Sequence, residues 1–346
     1  MKRVANVWGG VQRRFYAARA DWQVRRASHL QHGPARVTLG AGDCAVVSLM
    51  KDAEYFVDVF IRHHLALGAA HIVIIDNGSS DRTVEIARGF DQVTVVQNPL
   101  PARQYECRLR AGVARQVVSG GWLLFVDSDE LFEVPCAGAR SAPLPRLISY
   151  LDQHGYTAMV TQMLDLFAPA PYAQTRAWPY PAAIDAMRSY SLNQITAVPY
   201  HDRDSIGFNW FLRGNICDNA RVLLQSGGLR REIFGEACFL SKHSLVRNAP
   251  GIDPMPHPHC AAGVTVADVT GVLRHYKFSG AYLDRDRRSV EAGTWDHAED
   301  RRRLERAGCR DDFAINCAEP QDYCGTETLV DQGFLTASPR YRAYFA

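Results

Sequence analysis

The chain has no Cys-x-x-Cys pair, no long hydrophobic run, no excess of one charge and no glycine-rich loop behind its first apolar stretch. Each absence removes a class of function. Nine cysteines, an odd number scattered along 346 residues, argue against a complete disulfide framework. They read as small, reduced, buried residues of a cytosolic protein. No stretch approaches the length of a membrane span, and residues 1–26 lack the continuous apolar core of a signal peptide. With 39 Lys and Arg against 37 Asp and Glu, the net charge of +2 gives no pull toward nucleic acid. Ser48 to Ala53 contains no glycine, which weighs against the phosphate loop that a nucleotidyltransferase would want there. Neither an internal repeat nor a low-complexity linker divides the chain. An apolar share of 47% and a charged share of 22% are those of an ordinary soluble globular protein.

What is present centres on Trp122-Leu123-Leu124-Phe125-Val126-Asp127-Ser128-Asp129-Glu130. Five apolar residues, bounded by Gly120 and Gly121, run into two aspartates. The run is too short for a helix and fits a strand buried on both faces, as in a parallel sheet covered by helices. Ligands of such sheets bind beyond the carboxyl ends of the strands, which is where Asp127 and Asp129 fall. A strand's period of two points both side chains the same way. Two converging carboxylates suit a hard divalent cation that also takes phosphate oxygens. The alternative is a solvated acidic turn.

The order of the remaining patterns supports an α/β fold. Cys44 to Met50 reads as a first buried strand. Asp52 is a plausible N-cap before a helix marked by Phe56, Val59, Phe60, His63 and Leu67 and ended by Gly68. His71 to Ile75 reads as a second strand, delivering Asp76 into a polar turn in which Ser80 or Asp81 caps the next helix. Val93 to Val96 is a third strand, and 103–118 is helical in pattern. This alternation predicts a parallel sheet with right-handed crossovers. Beyond Glu133 the expectations are a helix over 144–155, a strand over 156–163 and long ordered loops over 165–220. Strands are expected at 221–225, 237–241, 264–269 and 272–276, and charged helix over 284–310. The tail to 346 shows little pattern. At the other end, Val7, Trp8, Val11, Phe15 and Tyr16 share one helical face among basic residues. Such a segment is either a solvated helix or a peripheral membrane contact.

Three features converge on the acidic pair. Asp76 ends another buried strand and belongs on the same rim, where its turn could grip a nucleobase or ribose or simply reverse the chain. Arg103, Arg108, Arg110 and Arg115 crowd the helix before the pair, and a guanidinium matches diphosphate oxygens bidentately. Late in the chain come Arg274, His275, Tyr276 and Lys277. There the imidazole could join a metal and Lys277 could neutralise phosphate, although a lone histidine after a strand is more often structural.

The order Val47-Ser48-Leu49-Met50-Lys51-Asp52, then Asp76-Asn77-Gly78-Ser79-Ser80-Asp81, then Phe125-Val126-Asp127-Ser128-Asp129-Glu130 resembles the family 2 type glycosyltransferases of the GT-A fold. More narrowly it is similar to the bacterial family-2-like group related to family 92. The stretches 226–235, 240–247 and 273–278 resemble that group more loosely, so the likeness spans roughly 43–285. It implies a Rossmann-like, mostly parallel sheet with an irregular acceptor-side half. It also implies a nucleotide-sugar donor, UDP-linked by preference, and a saccharide or glycolipid hydroxyl as acceptor. Asp76 would contact base or ribose, Asp127 the sugar or ribose, and Asp129 a Mn²⁺ or Mg²⁺ ion. His275 would be a third contact to metal or diphosphate, so that Asp127, Asp129 and His275 are the metal candidates. The family's Arg-Asn before the Asp-x-Asp is not clean in this chain, so Arg108 and Arg110 compete for its role. Arg230, with Gly227 and Gly228, would shape the acceptor or diphosphate pocket, or make a turn; Lys242 and His259 are equally divided between binding and packing.

With inversion, one carboxylate suffices to take the acceptor proton. Asp165, Asp202, Asp204, Asp218 and Glu236 are candidates, with Asp218 first because it precedes an expected strand. The resulting organisation is a basic segment over 1–38, a catalytic domain over 39–285 and a charged helical extension over 286–346. The expected setting is surface polysaccharide or glycolipid synthesis in the cytoplasm, with the inner membrane as a peripheral contact. The competing readings are a nucleotidyltransferase and a non-catalytic nucleotide- or partner-binding module on the same fold.

Overall fold

A computed structural model describes residues 18–138, 140–202, 208–294, 298–308 and 310–346. The basic amphipathic pattern at Val7 to Tyr16 and the candidate Asp204 lie outside the described residues.

Nine strands form the central sheet: β1 (His29–His32), β2 (Cys44–Met50), β3 (His71–Asp76), β4 (Val93–Gln97), β5 (Trp122–Phe125), β6 (Glu130–Glu133), β7 (Ala158–Asp165), β8 (Ser241–Arg247) and β9 (Gly271–His275). Their spatial order is β1-β4-β3-β2-β5-β8-β7-β9-β6. β2, β3, β4, β5, β7 and β9 point one way, and β1, β6 and β8 run against them. The sheet is therefore mostly parallel, as the strand–helix alternation predicts, with its reversals at the two edges and at β8.

Alternation along the strands builds a core on each face. Val46, Ile72, Ile74, Trp122 and Leu124 pack with α1 (Val57–Ala66) and α3 (Leu144–Gln153). Val47, Val73, Ile75, Leu123 and Phe125 pack with α2 (Ala102–Val117). Residues one apart thus serve opposite layers, so every residue of β5 is buried. The helix closing the chain, Pro339–Phe345, sends Tyr341 and Phe345 into the first of these cores. The weakly patterned tail is thereby part of the domain's packing. Among the described residues no helix is long and apolar enough to cross a membrane.

Several expected elements shift. Asp52 does not cap α1. It takes φ +50° and accepts the Ser80 amide at 2.7 Å, stitching the turns after β2 and β3 together. The strand expected at 221–225 runs from Leu223 to Gly227 and pairs with Ile195–Pro199 as a separate ribbon. The strand expected at 237–241 instead begins at Ser241 and enters the central sheet as β8. Residues 264–269 make only isolated bridges, while a small hairpin forms just before them, Asp253–His257 with Cys260–Ala262. These discrepancies arise where buried strands are short and lie beside bulges, so alternation alone misplaces their ends.

Candidate active site

Asp127 and Asp129 do not lie on the strand. β5 stops at Phe125, and Asp127-Ser128-Asp129 makes the tight turn into β6, with the Glu130 amide donating to the Asp127 carbonyl at 3.1 Å. A turn breaks the period of two, and the two carboxylates part. Asp127 accepts from Arg110 Nη2 on one oxygen and from Lys242 Nζ at 2.7 Å on the other. Asp129 faces His275 Nε2 at 3.4 Å. Its carbonyl receives the Tyr276 amide at 2.8 Å, which fixes the turn against the end of β9.

Asp127 sits in a compact network. Glu130, fully buried, accepts the Asp127 amide at 2.9 Å through one oxygen and Lys242 through the other. Arg110 also reaches Glu106 at 3.2 Å. Burial pushes the Asp127 carboxyl up, but Arg110 and Lys242 outweigh it and hold it well below the usual carboxylate range. Burial wins at Glu130, whose carboxyl is raised.

His275 bridges two carboxylates, with Nδ1 donating to Asp165 at 2.6 Å and Nε2 toward Asp129. Burial alone would lower its pKa, yet the two acids raise it to about 9. Burial likewise opposes the charge of Asp129, and His275 and Lys277 overcome it to keep that carboxyl below its ordinary range. Asp165 is lowered to about 2 by Arg230 and His275 against its own burial. Without a ligand the imidazole is a cation between two anions. A metal ion at Asp129 would take the place of the proton on Nε2.

The donor set fits a divalent cation in part. Asp129 offers a carboxylate that is 18% exposed, and His275 offers the nitrogen beside it. The Nδ1 proton on Asp165 fixes the tautomer that leaves Nε2 to ligate. Asp127, expected as a further ligand, has both oxygens engaged by Arg110 and Lys242. Among the described residues no three His, Cys, Asp or Glu side chains form a ready cluster. A set of two protein ligands completed by phosphate oxygens and water is the manner of Mg²⁺ and similar ions in nucleotide sites.

The other expected residues divide. Lys277 comes close enough for its charge to act on Asp129. Asp76 reaches the same rim, but it is fully buried and accepts the Gly78 and Ser79 amides at 3.3 and 3.0 Å, so its carboxylate shapes the turn rather than facing a ligand. Of the competing arginines, Arg110 takes Asp127, and Arg108 turns outward to Asp21 at 2.6 Å. Arg230 does not line a pocket. It is buried and bonded to Asp165 at 2.9 Å. Gly228, at φ +67° and ψ −150°, precedes the short helix α4 (Leu229–Phe234) that carries this arginine.

Three of the nominated bases are corrected by their positions. Asp165 and Glu236 are buried in ion pairs with Arg230, His275 and Arg303. Asp218 lies near the opposite end of the strands. Its neighbour Ile216 bridges Thr265 beside Ala158, the first residue of β7, whereas the site is at Asp165, the last. At ~3.3 Å per residue, that strand separates the two ends by roughly 23 Å. Asp202 follows the Ile195–Pro199 strand, its amide donating to the Pro199 carbonyl.

Glu130 and Lys242 both bond to Asp127, contacts that the sequence did not reveal: Glu130 was not singled out, and Lys242 was left between binding and packing. For Glu130 the available signal was an acid directly after the aspartate pair. For Lys242 it was a single lysine at the start of a strand that continues into Leu245 and Val246.

The sequence profile of the family described as "Glycosyl transferase family 2" matches residues 63–213, which include β3 to β7 and both aspartates. No curated protein matches the chain. Among solved structures, S. aureus TarS (residues 1–349) shares 19% identity over 36% of this chain and 36% of its own, with a TM-score of 0.28. Glucosyl-3-phosphoglycerate synthase from Mycobacterium tuberculosis, in complex with Mn²⁺, UDP and glucosyl-3-phosphoglycerate, shares 18% over 36% of this chain and 44% of its own, TM-score 0.25. The mannosyltransferase PcManGT from Pyrobaculum calidifontis, with GDP-Man and Mn²⁺, shares 14% over 42% of each chain, TM-score 0.28. The chain thus spans less than half the length of these structures. Over residues 63–213, rather less than half of its length, the chain is similar to glycosyl transferase family 2.

Proposed function

We propose that the protein is a divalent-cation-dependent glycosyltransferase that moves a sugar from a nucleoside diphosphate to an acceptor hydroxyl with inversion. The observation that carries this reading is the Asp129–His275 pair at the carboxyl end of the sheet, backed by Asp165, next to an Asp127 held charged by Arg110 and Lys242. The family profile over the same strands supports it.

Each residue has a role that its surroundings favour. Asp129 and His275 would hold Mn²⁺ or Mg²⁺, and that ion would supply positive charge for the departing diphosphate. Lys277 adds positive charge on the same side. Asp127 keeps an ionised carboxylate to accept a sugar or ribose hydroxyl, and Arg110 and Lys242 prevent it from turning away. The turn opened by Asp76 presents Asn77 to Asp81 toward the nucleoside. The base for the acceptor hydroxyl lies on the face away from the diphosphate. The buried acids Asp165 and Glu236 and the distant Asp218 are not that base. The acceptor is a saccharide or glycolipid of a surface polymer pathway, used on the cytoplasmic side.

Calorimetric titration of UDP and GDP into the protein, with Mn²⁺ and with chelator, tests the reading. Binding of one nucleotide that requires the metal and is lost in Asp129→Ala supports it. Tight binding indifferent to both would move the site elsewhere. Metal-dependent binding with neither transfer nor hydrolysis of any nucleotide-sugar would favour a binding module.

A further inference from the structure

A line of alternating charges runs from the site into the C-terminal helices. Asp129 faces His275 at 3.4 Å, His275 donates to Asp165 at 2.6 Å, and Asp165 receives Arg230 Nε at 2.9 Å. Arg230 lies 4.0 Å from Glu236, which accepts from Arg303 at 2.7 Å. Arg303 is held in turn by Asp286 of α5 (Tyr282–Ala292), at 2.7 Å, and by Asp300 of its own helix α6 (Glu299–Ala307). Asp165, Glu236 and Arg303 expose 2%, 0% and 1% of their side chains. Removing this many charges from water costs more than the pairs commonly return, and apolar residues of similar volume would fold as well or better. Such a line is poorly explained by stability alone. One of its ends is the imidazole beside Asp129.

We infer that Asp165 is a positioning residue for the divalent-cation site, and that the line through Arg230, Glu236 and Arg303 anchors it to helices α5 and α6. Asp165 accepts a hydrogen bond from the Nδ1–H of His275, keeps that proton on Nδ1, and so presents Nε2, unprotonated, to the ion. Arg230 stops Asp165 from rotating off the ring. Glu236, held by Arg303 through its other oxygen, acts on Arg230 by charge across 4.0 Å without a hydrogen bond. Segments 158–165, 229–236, 271–275 and 282–307, far apart in sequence, are thereby set in one register behind the ion.

The inference rests on the cation-dependent reading above, and the experiment separates the two. Free Mn²⁺ is counted by electron paramagnetic resonance in the presence of UDP, with thermal melting and metal-free UDP affinity measured alongside. Wild type that binds no Mn²⁺ overturns the functional reading and this inference together. If wild type binds, Asp165→Asn is expected to melt at a lower temperature, because buried Arg230 loses its carboxylate, yet to fold, and to lose ~10–100-fold in Mn²⁺ affinity with metal-free UDP affinity little changed and partial recovery of both losses in Asp165→Glu. Arg230→Gln should show a smaller loss in the same direction, and it decides the matter should Asp165→Asn fail to melt cooperatively. The tautomer is read by long-range ¹⁵N correlation of the His275 ring in the metal-free protein, at a pH high enough for the ring to be neutral. It should be purely Nδ1-protonated in wild type and mixed in the variant. Unchanged Mn²⁺ affinity in a folded variant, with an unchanged tautomer, overturns the inference while leaving the functional reading intact.

Discussion

Strands β2, β3 and β4 run parallel, each is followed by a helix, and β3 and β5, which flank β2, lead into turns rich in carboxylates. Strands β7, β8 and β9 lie on the other side of β5 and do not share one direction; ribbons and loops separate them. They supply what those carboxylates require: Lys242 from β8, His275 from β9 and Asp165 from the end of β7 to steady it. The regular half thus brings a surplus of negative charge to the rim, and the irregular half brings most of the balance. The site lies across the join between them.

The comparison breaks most sharply at Asp129, which nothing in the regular half can replace. Asp129→Ala should reduce transfer by about 10³-fold and abolish metal-dependent nucleotide binding in the calorimeter. Lys242 tests the other half. Lys242→Met leaves fully buried Glu130 without its cation and should destabilise the protein by ~3–5 kcal/mol, read as the urea midpoint. Adding Glu130→Gln should recover part of that loss, since an amide carries no unpaired charge. The two arginines of α2 sharpen the contrast within one helix. Arg110→Ala should weaken nucleotide-sugar binding about tenfold, seen as a raised KM. Arg108→Ala removes an exposed pair with Asp21 and should cost less than ~1 kcal/mol with transfer unchanged.

The far end of the sheet gives a pH test independent of the site. Burial pushes the Asp268 carboxyl up, but hydrogen bonds from Ser338, Arg340 and Tyr150 overcome this and lower its pKa in the fold. Its contribution is therefore present above the unfolded carboxylate value near ~3.9 and is lost as pH falls through the lower folded value. Asp268→Asn should cost ~1.5 kcal/mol at neutral pH and flatten the acid limb of the stability curve. The smallest effect belongs to Asp218→Ala. Transfer and stability should both stay at the wild-type level, and a collapse of turnover would return Asp218 to the candidate bases.

The regular half was legible because its signals are local. Five apolar residues between glycines and acids make a short buried strand, and β2, β3, β4 and α2 appear within a residue or two of where periodicity puts them. The divergence of Asp127 and Asp129 was not legible, because it depends on the strand stopping at Phe125 rather than continuing. The irregular half hid its function in pairings at long range. Lys242 lies on a mostly buried strand, and only the register of β8 against β5 and β7 carries it to Asp127. Asp165 was noticed as an acid, but its partners, His275 and Arg230, come 110 and 65 residues later.

Synthesis proceeds from the N-terminus, so Asp127, Asp129 and Glu130 leave the ribosome well before most of their counter-charges. Lys242 follows Glu130 by 112 residues, and His275 comes later still. At ~5–20 residues per second, the nascent chain spends several seconds or more with three carboxylates on one turn and only Arg110 nearby. During that interval the turn must stay hydrated, and strand β5 cannot be sealed on its β8 side. The vulnerable period of this protein's biogenesis is thus set by the spacing of its charges along the gene, and slow codons placed between 130 and 241 would lengthen it.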